Sequence, residues 1–220
     1  VYKNLNLKKK FSELDELGGI DPYSASKVCQ EILSSSYIKT FYEKKNMKGK
    51  ISTVRSGNVI GGGDYSSNRL VPDLLKALNS KKTLKVRNPN HVRPWQHVIE
   101  PLFGYLILSQ KQFQNNLKNI NPVWNFGPDK KNFMKVSNLV KIFKTKDSKL
   151  KIEKYNETSK FMEKKVLMLN NIKSKTYLKW KPKWNLNVTV DKILTWNNQK
   201  NKIGALKISQ LQIIDYLKLK

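Results

Sequence analysis

The sequence predicts an α/β protein built on a parallel sheet, and three stretches predict it. Asp21-Pro22 marks a helix start, because a proline at the first helical position lacks only an N–H that would be unpaired there. Asp21 stands before it as the N-cap. Ile51 to Ile60 follows that helix as a strand rich in β-branched residues. It stops at Gly61-Gly62-Gly63-Asp64, and a helix followed by such a strand fits one αβ step of a parallel sheet. Ligands of such sheets sit at the C-terminal ends of strands. The three glycines read either as a close backbone approach to a ligand or as a flexible turn.

In chain order, residues 1–20 are polar and end in the loop Leu17-Gly18-Gly19-Ile20. The first helix is expected from Pro22 to Glu43, with Val28, Ile32, Leu33, Ser36 and Tyr37 as its apolar stripe. Lys44 to Lys50 reads as a basic turn. A short helix over 70–79, a strand over 84–87 and a turn at Asn88-Pro89-Asn90 come next. His91 to Val98 reads as extended. The helix after it, Ile99 to Gln112, is expected to bury Leu102, Tyr105, Leu106 and Leu108. A strand over 123–128 closes on Gly-Pro. Beyond it the pattern gives helices near 136–144, 171–178, 187–198 and 208–218, and a strand near 165–169.

Composition excludes several classes. The chain of 220 residues has no run of about 18 apolar residues, so no membrane span is expected. Its single cysteine, Cys29, forms no internal disulfide and fits a reducing compartment such as the cytoplasm; a buried, inert thiol is expected. The formal charge of +27 raises nucleic-acid binding as a rival function. The basic residues, however, are almost all lysines scattered along the whole chain among Asn and Ile, a compositional drift and not a basic stripe. The four arginines, Arg55, Arg69, Arg87 and Arg93, share one window. They read as an anion site, since arginine's planar fork has no lysine substitute, or as chance clustering. Two histidines without metal-ligand spacing make a catalytic metal unexpected, and His91 and His97 read as packing or hydrogen-bonding residues. No serine-hydrolase elbow is present.

Tyr23 and Lys27 stand one helical turn apart on one face. An ammonium near a phenol favours the phenolate, so the pair can act as a general base, or it is a solvated helix face. Followed by Arg55-Ser56-Gly57-Asn58-Val59, it resembles the extended short-chain dehydrogenase/reductase family of nucleotide-sugar enzymes. The resemblance runs in order through DPYSASK, VRSGNVIGGGDY, RLVPDLLKAL, VRNPNHVRPWQHVIEPLFGYL and WNFGP to YLKWKPKWNLNVTVDKILTW. The Arg-Pro-Trp-Gln-His-Val-x-Glu-Pro block is its most specific part and is similar to the family's 4,6-dehydratases of CDP-glucose.

The resemblance implies the C-terminal part of a Rossmann-type doubly wound parallel sheet plus a smaller mixed α/β substrate-binding domain. It places residues 1–60 in the NAD-binding part and 61–220 mainly in the substrate part, with 90–130 returning to the Rossmann sheet. The family's opening strand and glycine-rich turn, which bind the NAD pyrophosphate, are not in this sequence, so the chain reads as a fragment. The elimination acid and base would lie upstream of Val1. The implied activity is a hydro-lyase that dehydrates CDP-glucose by internal hydride transfer through NAD, a step towards the deoxysugars of O-antigen and lipopolysaccharide. Tyr23 and Lys27 are the implied catalytic pair, touching cofactor together with Gly57 and Val59. Asn58, Arg69, Leu70, Val86, Arg87 and Arg93 are the implied substrate residues. A homodimer through the Tyr23 helix is implied, with no metal, no specific nucleic acid and no membrane. An epimerase or decarboxylase of the same fold is the nearest alternative.

Overall fold

The computed structural model describes residues 2–3, 9–43, 50–117, 120–154 and 165–219. They form a mixed α/β protein with parallel strand pairs, as expected. The basic turn expected over 44–50 lies, but for Lys50, outside the described residues. The chain divides into two units.

The first unit comprises residues 1–57, 101–127 and 167–181. Its first helix, α1 (Pro22–Tyr37), begins as the sequence requires. The Asp21 carboxylate accepts from the Ser24 backbone at 2.9 Å, and the Ser24 hydroxyl turns back to the Asp21 backbone. This closed capping box satisfies N–H groups that a helix start leaves open. Six residues of π-helix, Ile38–Glu43, continue it. The expected strand over 51–60 breaks at Gly57 into β1 (Thr53–Ser56) and β2 (Asn58–Ile60). Only β1 belongs to this unit, where it runs parallel to β5 (Val123–Phe126), with Arg55 opposite Asn125. Trp124, Phe126, Leu108, Leu178 and Trp180 form one core; Tyr2, Phe11 and Leu169 form a second.

Three expectations fail in this unit. α1 buries none of its residues, and Ile32, Leu33 and Tyr37 are all more than half exposed. Cys29 lies exposed on the same helix and not in a core. In α3 (Ile99–Phe113), Leu108 is buried, but Leu102 and Leu106 are exposed. The inner face is set instead by Gly104, whose backbone presses on the Phe126 ring: an added β-carbon would stand 2.3 Å from it.

The second unit comprises residues 58–100, 128–166 and 182–220. Its central strand, β4 (Val92–His97), pairs parallel with β2 through Trp95 to His97 and antiparallel with β6 (Phe133–Lys135) through Val92 to Pro94. The two pairings are staggered, so Pro94 stands where the β2 side is unpaired and its missing N–H costs no ladder bond. β3 (Thr83–Val86) pairs parallel with β7 (Lys151–Lys154), a strand that the sequence pattern does not predict. The strand expected near 165–169 is reduced to single bridges at Val166 and Leu169. Helices α2 (Leu70–Ser80), α4 (Val136–Lys146), α6 (Leu186–Ile203) and α7 (Ala205–Lys218) belong to this unit; α5 (Ile172–Leu178) belongs to the first. Leu74, Leu139, Phe143, Val190 and Ile193 form the centre of the second unit's core.

Among the described residues no helix is long and apolar enough to cross a membrane.

Candidate functional site

In the first unit the structure brings Tyr23 and Lys27 together at the capped start of α1. The Lys27 amine lies 5.7 Å from the centre of the Tyr23 ring and donates to Gln30 at 3.3 Å. Tyr23 is 70% exposed, so its phenol is open to a ligand. Hydrogen bonds from the Ser24 side chain and backbone hold the Asp21 carboxyl below its usual range, keeping the cap ionised. Gly19 lets the preceding loop lie against that first turn, where a β-carbon would stand 2.4 Å from the Ala25 nitrogen.

Four residues beyond Lys27, Glu31 meets Arg55 of β1. The Arg55 Nε and Nη2 atoms donate to the two Glu31 carboxylate oxygens at 2.7 and 3.0 Å. Arg55 Nη1 donates to the Tyr2 hydroxyl at 2.8 Å, and that hydroxyl donates to Asn125 Oδ1 at 2.6 Å. Burial pushes the Tyr2 phenol up, which keeps it a neutral donor. Asn125 itself accepts from the Ser174 hydroxyl through its carbonyl at 2.5 Å and donates to the Phe11 carbonyl at 3.0 Å. Arg55 is therefore committed to an internal network and does not belong to an anion site. No local pattern in the sequence signals this pairing, because the two residues are 24 positions apart.

In the second unit the guanidinium of Arg87 donates to the Asn68 carbonyl at 3.0 Å, which brings β3 against the turn leading into α2. Arg87 and Arg69 are exposed there, with Leu70 half-buried behind them. Val86 is buried among the core side chains. Asn58 and Val59, in β2, stand opposite Trp95 and Gln96; Gly57 is the residue between β1 and β2. Arg93 is buried, donating to the carbonyls of Val92 at 2.9 Å and Lys165 at 3.3 Å, with His91 Nδ1 3.1 Å from Nη2.

The glycine turn serves packing. A β-carbon at Gly62 would stand 2.4 Å from the Trp196 indole. Beside it a groove of about 460 Å³ is lined by Asp64, Tyr65, Asp73, Lys76, Trp196 and Lys200 among others, and by none of the predicted substrate residues.

The block from Arg93 to Pro101 contains one group that sequence reasoning missed, Glu100, and one that it read, His97. Glu100 is fully buried; its carboxylate accepts from the backbone nitrogens of Lys183 at 3.0 Å and Trp184 at 2.6 Å, and from the Tyr216 hydroxyl at 2.5 Å. Burial nonetheless raises its pKa, and burial beside this carboxylate raises that of Tyr216. His97 is the packing residue expected: its Nδ1 accepts from the Ile99 nitrogen at 3.2 Å, and its ring meets Trp184 edge-on. Burial, aided by Lys192, depresses its pKa to about 4.

The fold is the Rossmann-like one of nucleotide-sugar dehydratases and epimerases. The chain superposes on dTDP-glucose 4,6-dehydratase from Bacillus anthracis, a complex with NAD, with a TM-score of 0.70 and 19% identity, covering 89% of this chain and 58% of that one. A UDP-glucuronic acid 4-epimerase from Bacillus cereus, in complex with UDP-glucuronic acid and NAD, gives 0.73 and 18%, covering 90% and 60%. No family model matches the chain. In sequence it is similar to CDP-glucose 4,6-dehydratase of Salmonella typhimurium, 33% identical over 223 residues. That match takes in 98% of this chain and spans 61% of the relative.

Proposed function

We propose that this chain is part of an NAD-dependent hydro-lyase that converts CDP-glucose to CDP-4-keto-6-deoxyglucose. The observation that carries the reading is the solvent-open phenol of Tyr23 with the Lys27 ammonium one turn away, in a chain alike over 98% of its length to such an enzyme. Those two groups fit the nicotinamide end of NAD: a proton acceptor beside a cationic donor suited to ribose hydroxyls. When bound, NAD supplies reversible hydride acceptance. Tyr23 takes the proton from the sugar O4 as C4 is oxidised, and Lys27 donates to the ribose. The ketone at C4 acidifies the C5 proton, water leaves across C5 and C6, and C6 is reduced, so the cycle has no net redox change. Gly57 and Val59 line the cofactor side. Arg69, Leu70 and Arg87 hold the nucleotide, with the backbone at Val86 beside the base, its side chain being in the core, and with Asn58 on the sugar and Arg93 on the diphosphate. The contact between Arg87 and Asn68 supports the nucleotide assignment, because it gathers two of these segments.

The exposed face of α1 supports a homodimer. The helix buries no residue and leaves Ile32, Leu33 and Tyr37 open, an apolar stripe suited to the same helix of a second copy. This reading puts the enzyme in the cytoplasm.

The test is incubation of the full-length enzyme with CDP-glucose, with dTDP-glucose and UDP-glucose alongside. The 4-keto-6-deoxy product absorbs strongly in alkali and should form from CDP-glucose. A C4 epimer in its place would overturn the dehydratase reading in favour of an epimerase.

A further inference from the structure

We propose that the buried Glu31–Arg55 pair sets the rotation of α1 about its axis, making both side chains positioning residues for Tyr23 and Lys27. This rests on the reading of those two as the catalytic pair.

Tyr23, Lys27 and Glu31 recur every four residues and so share one stripe of the helix. Whatever fixes Glu31 fixes where the phenol and the ammonium point. Apolar packing holds it only weakly, because no apolar side chain of α1 is buried and Ala25 and Val28 are only half-buried. The pair fixes it. Both Glu31 oxygens are held by the Arg55 fork, and the two side chains are only 11% and 6% exposed. The fork is itself fixed from behind: Arg55 bonds the Tyr2 hydroxyl, lies 4.8 Å from the Tyr2 ring centre, and sits on a strand in register with Asn125. The planar bidentate contact therefore carries orientation from the β1–β5 sheet to the helix.

The leverage is large. A turn of about 10° about the axis moves an atom at the helix's outer radius, about 6 Å, through about 1 Å. A misplacement of that size can cost about a hundredfold in rate. A buried pair adds little stability over apolar side chains of like volume, so orientation is the advantage left to it.

The experiment uses the full-length enzyme and compares Tyr23→Phe, Arg55→Lys and the double variant Glu31→Leu/Arg55→Met. The double variant removes both charges together, leaves neither buried alone, and should fold. Its kcat is expected to fall about 10- to 100-fold, with KM for the nucleotide sugar within about twofold. Arg55→Lys keeps the charge and loses the fork, and should lose kcat by a smaller factor at unchanged KM. A folded double variant with wild-type kcat, beside an inactive Tyr23→Phe, would overturn the positioning role alone. An active Tyr23→Phe would overturn the catalytic reading and this inference with it. Should the double variant fail to fold, Arg55→Lys decides: unchanged kcat refutes the role, and a loss in kcat at constant KM upholds it.

Discussion

Trp196 lies so close to Gly62 that a β-carbon added there would meet its ring at 2.4 Å. Both belong to the second unit, and the indole is nearly buried. Gly62→Ala forces the indole or the turn to shift, and overpacking of this kind costs about 1–3 kcal/mol. Urea unfolding should show that loss. A variant as stable as the wild type would mean that the turn yields freely.

Tyr23→Phe removes a hydroxyl from a side chain that is 70% exposed. Stability should change by no more than about 0.5 kcal/mol. Turnover by the full-length enzyme should nevertheless be abolished, with substrate affinity nearly constant, because the lost group acts in the transition state. An unchanged rate would reduce Tyr23 to a surface residue.

Arg93→Lys tests the proposed diphosphate contact. Lysine keeps the charge but not the fork, so nucleotide-sugar binding to the full-length enzyme should weaken by about 1–3 kcal/mol. Calorimetric titration measures it. Arg93 also bonds the carbonyls of Val92 and Lys165, so a variant that loses only stability while binding normally would assign the residue to the fold.

Tyr216→Phe deletes the hydroxyl that donates to Glu100 at 2.5 Å. A hydrogen bond to a buried charged group contributes about 1.5–3 kcal/mol, and chemical denaturation should register a loss of that order. A loss below about 0.5 kcal/mol would show that the two backbone donors suffice.

His97 gives the protein a pH dependence whose sign can be worked out. Its pKa falls from the usual 6.5 to about 4 on burial, so the folded state holds the neutral ring. Above pH 6.5 both states are neutral and the stability is fully present. As the pH falls from 6.5 towards 4 the unfolded chain takes up a proton that the fold refuses, and stability drops by about 1.4 kcal/mol per pH unit. Below about 4 the loss is complete. His97→Asn should flatten the melting temperature between pH 6.5 and 4 relative to the wild type. Parallel curves for the two proteins would contradict this.

Features with a local cause were legible in the sequence. Asp21-Pro22 and Ser24 close their own cap, and α2 and α4 bury the apolar positions of their helical periods. The expected fold class needed only the helix-to-strand step at 22–60. What escaped depends on distant partners. β7 reads Lys-Ile-Glu-Lys, with one apolar residue, and exists because β3 pairs with it. Ile32, Leu33 and Tyr37 carry a helical period, but the period says nothing about what covers them. Arg55 was misread because an arginine fork suits a carboxylate as well as a phosphate, and only the fold shows Glu31 in front of it. Glu100 carries no sequence signal, since its three donors come from positions 183, 184 and 216.

Those three bonds have a kinetic consequence. Helices held by few buried contacts usually open on their own, exchanging their amide hydrogens at a rate unrelated to the interior. Here Tyr216 of α7 is fastened to Glu100, in the first turn of α3, so α7 cannot peel away without uncovering a buried carboxylate. The amides around Tyr216 should therefore exchange in step with those of Gln96 and His97, as one cooperative opening unit more than a hundred residues apart along the chain.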